Sequence, residues 1–278
     1  MAQPEKRREQ SQGQQHEQHE PKIVYARQGQ FAQITLNRPA KLNAIDGEML
    51  DTLERLAAEI DGDSSCRGVM LGAAGGRAFC AGADIKAWSE LPPLEMWRYW
   101  TRRGHDVFER IERLLQPTVA LVDGIAYGGG LELALSCDLL LATESSRFAF
   151  PEVSIAAIPG WGGTARLAER VGVSRAKQMI FSGEPVSAAV AADWGLANSV
   201  YSDRAAMEQA AAALLERIGR NAPVAVAAVK QLLRTHQQSR FSAGAMESIA
   251  GGLTALTQDG AEGIASFREK RAADFQGS

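Results

Sequence analysis

The chain has 278 residues, 45% of them hydrophobic and 23% charged, so it can bury one large core or a core with a smaller appendage. Thirty-three acids against 30 bases give a formal charge of -3, which offers no basic excess for a nucleic-acid partner. No apolar run approaches the roughly 18 residues of a membrane span, and three widely spaced cysteines, Cys66, Cys80 and Cys137, form no disulfide framework, so a reduced, cytoplasmic protein is expected.

Residues 1–21 are almost wholly polar and lack both a signal-peptide apolar segment and an acid-poor transit composition, which predicts a disordered leader. His16 and His19 fall in that leader, and no metal site is expected. KIVYAR and FAQITLN are β-rich runs joined by Gln28-Gly29-Gln30, a hairpin pattern. Asp46 has the position of an N-cap, with Met49, Leu50, Leu53, Leu56, Ala57 and Ile60 following at helical spacing. RGVMLGAAG is a buried strand running into glycines. The stretch 94–115 is helical, with Trp97, Trp100, Phe108, Ile111 and Leu115 as expected buried anchors. TVALVDGIAYGGGLELALSCD follows as strand, glycine turn and helix, and DLLLAT as another strand.

Strands and helices alternate to about Val200, an α/β pattern. Helices are expected thereafter over 203–220, 223–234, 241–256 and 261–271. The chain thus divides into a leader (1–21), an α/β core (22–202) and a helical region (203–278) whose apolar positions include Leu214, Leu215, Ile218, Val226, Val229, Leu232 and Leu233.

Two glycine-rich turns stand between strand and helix patterns, Gly75 to Asp84 and Gly124 to Gly130. Turns stripped of side chains expose backbone N–H groups, and two facing one pocket would form an oxyanion hole. Neither turn has the spacing of a dinucleotide fingerprint or a P-loop. Glu132 lies in the first turn of the helix after the second glycine run, where its carboxylate can stay near the N–H groups of Gly128 to Gly130, and Glu152 follows the strand RFAF and Pro151. Two carboxylates beside an anion-stabilising turn point to general acid–base chemistry on a carbonyl compound.

Together LNRPAKLNAI, RAFCAGADIK, VDGIAYGGGLELALSCD, FPEVSIAAIPGWGGTARL and the terminal EGIASFREKR resemble the enoyl-CoA hydratase/isomerase (crotonase) superfamily over nearly everything after the leader. The resemblance implies a spiral of repeated ββα turns with a C-terminal helical oligomerisation region. It implies that the N–H groups of Ala83 and Gly129 hold the thioester oxygen of an acyl-CoA. It places the CoA along Ala81 to Lys86, including Asp84 and Ile85, with Lys41 near its phosphates. Asp84 has a competing reading as a helix cap. Phe267 and Lys270 would reach the CoA of a neighbouring subunit in a trimer or a dimer of trimers.

Family members resembling hydratases carry glutamates at both positions, so the resemblance implies hydration of an enoyl-CoA, Glu132 acting as base and Glu152 as acid. No cofactor is needed, the CoA being part of the substrate. A double-bond isomerase or acyl-CoA decarboxylase is the alternative on the same fold, and a non-catalytic acyl-CoA-binding scaffold the alternative of another class. Two departures from the family pattern are Ala156, where glycine is usual, and Trp161, where a small residue is usual; the indole would either narrow the acyl pocket or plug a surface groove.

Overall fold

The structure, a computed structural model, describes residues 20–236 and 257–278. The leader up to residue 19 and the helix expected over 241–256 lie outside the described residues. The hairpin forms as expected: β1 (Ile23–Gln28) pairs antiparallel with β2 (Phe31–Leu36), turning at Gly29. Helix α1 (Gly47–Asp61) follows, with the Asp46 carboxylate accepting the Met49 N–H at 3.1 Å. Its buried residues are the six that the helical spacing singles out.

From there the chain repeats one unit, in which a strand joins a first sheet, a short strand joins a second, and a helix follows. The units are β3 (Gly68–Ala73), β4 (Ala78–Cys80) and α2 (Ile85–Trp88); then, after intervening helices, β5 (Thr118–Val122) and β6 (Ile125–Tyr127). The intervening helices are α3 (Pro93–Glu95) and α4 (Arg102–Glu112), joined by a π-helical turn, Met96–Thr101. Helix α5 (Gly129–Leu135) closes the second unit. β7 (Leu139–Thr143), β8 (Arg147–Ala149), a 3-10 turn (Pro151–Ile155) and α6 (Gly163–Val171) make the third. Helix α7 (Val173–Ser182), β9 (Val186–Ser187), α8 (Ala188–Asp193) and β10 (Ser199–Tyr201) complete the core.

The first sheet has the order β1-β2-β3-β5-β7-β10 and the second β4-β6-β8-β9. Both glycine turns therefore contain a strand of the second sheet. Gly124 makes the corner between the sheets at φ +81, and a Cβ there would sit 2.3 Å from the Arg77 carbonyl oxygen, so only glycine fits. All five residues of β5 are buried, as befits a parallel strand covered on both faces.

The C-terminal helices are α9 (Arg204–Gly219), capped by Asp203, α10 (Pro223–His236) and α11 (Gln258–Glu269), which begins three residues earlier than the spacing suggests. Met207, Ala211 and Leu215 of α9 pack on Met70, Val119, Leu121 and Leu141 of the first sheet. Lys230 anchors α10, donating to the Gln116 carbonyl at 3.0 Å and pairing with Asp138 at 2.7 Å. No helix among the described residues is long and apolar enough to cross a membrane.

Two expected anchors are not buried. Trp97 is 60% exposed and Leu115 46%, whereas Trp100, Phe108 and Ile111 are in the core. The π-helical turn widens the pitch at Met96–Thr101, so Trp97 and Trp100 no longer share a face, and α4 ends at Glu112, before Leu115. Trp161 is buried among Trp100 (centroids 5.4 Å apart), Phe108 (5.2 Å, edge-on) and the bare backbone of Gly104. A Cβ on Gly104 would lie 2.1 Å from Trp161 Nε1. Alanine in a helix ordinarily gains up to about 1 kcal/mol over glycine, but overpacking a rigid indole costs about 1–3 kcal/mol. Gly104→Ala is thus expected to lower the thermal midpoint, and an unchanged or raised midpoint in a melting scan would refute this packing.

Candidate active site

The site forms where the two glycine turns meet. Asn43 organises the first from beneath: its Oδ1 accepts the Arg38 N–H at 2.8 Å, and its Nδ2 donates to the carbonyls of Ala74 (3.0 Å) and Ala78 (2.9 Å). The following Ile45 bridges Ala83 in parallel, its N–H donating to the Gly82 carbonyl and its own carbonyl accepting the Asp84 N–H, each at 2.8 Å. Because successive N–H groups of an extended chain point opposite ways, the Ala83 N–H is directed away from Ile45. It faces Gly129, where a Cβ would stand 3.3 Å from the Ala83 nitrogen and 2.7 Å from Trp161 Cζ3. Gly129 is the first residue of α5, so its amide has no partner within that helix. Two backbone donors and the edge of an indole converge there.

Glu132 is 2% exposed. Its carboxylate takes its hydrogen bonds from outside its own helix. It crosses to the loop before α6, where Oε1 accepts the N–H of Trp161 at 2.7 Å and of Gly163 at 2.9 Å. Burial outweighs those bonds, and the Glu152 charge adds to it, so the carboxyl is pushed up to about 7.

Glu152, in the turn after β8, lies directly over Gly128: a Cβ there would meet its Oε1 at 2.7 Å, and φ is +49. Its Oε2 is buried with no hydrogen-bond partner, and burial pushes this carboxyl also to about 7. The structure therefore gathers Ala83, Gly129, Glu132 and Glu152 around one point. Two carboxyls that titrate near neutrality beside two free amides can hold a water, exchange protons and stabilise an oxyanion.

Among the remaining sequence candidates, Ala81 is tied by its N–H to the Leu42 carbonyl at 3.0 Å. Lys41, at the end of the 3-10 turn Pro39–Lys41, and Ile85 and Lys86 on α2 are exposed along the same edge. Asp84 caps α2, accepting the Lys86 N–H at 3.1 Å, and takes Arg38 Nη1 at 2.7 Å. Burial pushes its carboxyl up, but the Arg38 bond and charge prevail and hold it below its ordinary value. Phe267 lies within α11 and Lys270 just past its end at φ +53. Among the described residues, the bonds that fix this tail run within it and to Arg67, not to the glutamates.

Trp161 plugs no surface groove: it is 3% exposed and backs onto Gly129. Ala156 sits at φ +56, a left-handed conformation that glycine adopts without strain and that costs a β-carbon about 1–2 kcal/mol. Sequence reasoning misses Asn43 and Arg166, whose side chains act on backbone groups of the site loops. Arg166 lies within the run FPEVSIAAIPGWGGTARL, but nothing in that run marks its side chain as reaching the Trp161 carbonyl.

The family described as enoyl-CoA hydratase/isomerase matches residues 26–278. The short-chain-enoyl-CoA hydratase of Clostridium acetobutylicum is 38% identical over 250 residues, covering 90% of this chain and 95% of that protein. The 2,3-dehydroadipyl-CoA hydratase of Escherichia coli is 37% identical over 257 residues, 92% of this chain and 98% of its own. A crystal structure of enoyl-CoA hydratase from Bacillus anthracis superposes with a TM-score of 0.89 at 34% identity, over 93% of this chain and 100% of that one. With the spiral of ββα units and these relatives, the chain belongs to the enoyl-CoA hydratase/isomerase family.

Proposed function

We propose that this protein adds water across the α,β double bond of an enoyl-CoA thioester, giving a 3-hydroxyacyl-CoA. The observation that carries this reading is the pair of near-neutral carboxyls, Glu132 and Glu152, flanking the amides of Ala83 and Gly129. The thioester oxygen accepts from those two amides, which stabilise the enolate charge as it develops, a few kcal/mol for each donor being about the usual scale. Glu132 takes a proton from water as its oxygen bonds to the β-carbon. Glu152, whose unpartnered Oε2 is available for a proton, delivers one to the α-carbon. One proton is gained and one given, so the pair needs only a return transfer between turnovers. These residues need no cofactor for these steps. The CoA lies along Lys41, Ala81, Asp84, Ile85 and Lys86, where Asp84 shapes the start of α2.

Activity requires one carboxyl ionised and the other protonated. Below both apparent pKa values no base exists; above both no acid remains. A plot of kcat against pH is expected to be bell-shaped with its maximum near pH 7, the two limbs belonging to the coupled pair. A flat profile between about pH 5 and about pH 9 would count against the pairing.

Assembly into a trimer or a dimer of trimers in the cytoplasm belongs to the same reading. Val229 (54% exposed) and Leu233 (66%) leave an apolar stripe on α10 for a neighbouring subunit, which would bring Phe267 and Lys270 to that neighbour's CoA. Sedimentation velocity is expected to show a trimer or larger; a fully active monomer would refute the shared site.

A further inference from the structure

Behind Glu132 lies a second layer of charge that the reaction itself does not use. Arg166 of α6 is 7% exposed, and its guanidinium is fully committed in two directions. Nη1 donates to the Trp161 carbonyl at 2.7 Å, while Nε and Nη2 reach Glu112 Oε2 at 2.8 and 2.7 Å. Gly162, at φ +98, has no room for a Cβ, which would lie 2.3 Å from Nη1, so the guanidinium packs directly against the 161–163 loop. That same loop donates its Trp161 and Gly163 amides to Glu132 Oε1. Glu112 in turn has Arg234 of α10 at 3.6 Å.

We propose that Arg166 is a positioning residue for Glu132, holding the loop whose two amides orient that carboxylate, with Glu112 fixing Arg166 from α4. This rests on Glu132 being the base of the reaction. The physical ground is that the loop turns on a left-handed glycine, Gly162, and that besides the buried Trp161 indole the Arg166 guanidinium holds its backbone directly, at the Trp161 carbonyl. A displacement of about 1 Å in a catalytic group is enough to lose on the order of 10²-fold in rate. Arg166 also acts through charge, since its cation opposes the rise in the Glu132 carboxyl. The charged groups facing Glu132 are Glu152 from the turn after β8 and Arg166 from α6, with Glu112 of α4 and Arg234 of α10 behind.

Loss of an ion pair that served stability alone would lower the melting temperature and leave the ionisation of Glu132 where it was. The experiment compares Arg166→Gln, Arg166→Lys and Glu112→Gln with Glu132→Gln, measuring kcat, KM and the pH profile on crotonyl-CoA. Arg166→Gln is expected to lower kcat about tenfold or more with KM within about twofold, and to move the limb that reports Glu132 ionisation to higher pH. The lysine variant should recover part of both effects, keeping the charge but not the forked geometry. Glu112→Gln removes a negative charge behind Arg166 instead of a positive one, so it should lower kcat by less than Arg166→Gln and move the limb to lower pH. Glu112 is only half-buried, so its variant decides the matter if Arg166→Gln does not fold. Folded variants whose limb stays at the wild-type pH would overturn the proposal, whatever their stability. A fully active Glu132→Gln would instead overturn the role of Glu132 itself, so the two failures are distinct.

Discussion

Glu132→Gln and Glu152→Gln are each expected to lower kcat for hydration by about 10²-fold or more, since each removes proton transfer while keeping nearly the same volume. The fold should survive both changes. At Glu132 the expectation is stronger still, because its carboxyl titrates higher in the folded protein, near 7, than the ordinary 4.5. Between those two values the native state binds more protons than the unfolded one, so this group's contribution to stability falls as pH rises through that window. Above it the ionised carboxylate is a net cost of folding, two amide bonds notwithstanding. A glutamine, neutral at every pH and able to accept from the same amides, removes that cost. Glu132→Gln should therefore be slow but at least as heat-stable as wild type near pH 8. A variant retaining wild-type turnover would remove Glu132 from the mechanism. One that is inactive because it is unfolded would contradict the account of its burial.

Gly129→Pro is expected to reduce activity by at least about 10²-fold, the scale seen when one donor of an oxyanion hole is lost. Proline lacks the N–H that faces the Ala83 amide, and its φ suits the first position of a helix. Its ring would nevertheless press on Trp161, since even a Cβ at this position comes within 2.7 Å of Cζ3. Circular dichroism and a melting scan must accompany the kinetics. A folded Gly129→Pro enzyme with full turnover would show that the thioester oxygen is held elsewhere.

Long periodic elements of this chain are legible from sequence because a helix that buries one face repeats its apolar residues. Helix α1 is the clearest case, with Asp46 capping it and its six spaced apolar residues all in the core. Strand β8 is legible as RFAF, but β4 and β6 are not, as three residues show no period, and the pairing of all three into a second sheet depends on partners 22 or more positions away, such as Tyr127 with Ala149. Trp97 misleads for a different reason: the π-helical turn breaks the phase that spacing assumes. The glycine turns and the two glutamates can be picked out by residue type and order, helped by the family resemblance. The direction of the Glu132 carboxylate cannot, because its partners are main-chain amides 29 and 31 residues away. Arg166 and Asn43 escape for the same reason, since both act on backbone groups brought close only by the fold.

The central claim is hydration, and the most direct measurement is the product formed from crotonyl-CoA by the full-length protein. The conjugated enoyl absorbance should fall, and mass spectrometry should show an acyl-CoA heavier by one water, with a hydroxyl on the β-carbon. Loss of the conjugated absorbance with no change in mass would indicate double-bond isomerisation. No change in either, from a folded protein that binds crotonyl-CoA, would contradict the claim and leave an acyl-CoA-binding scaffold.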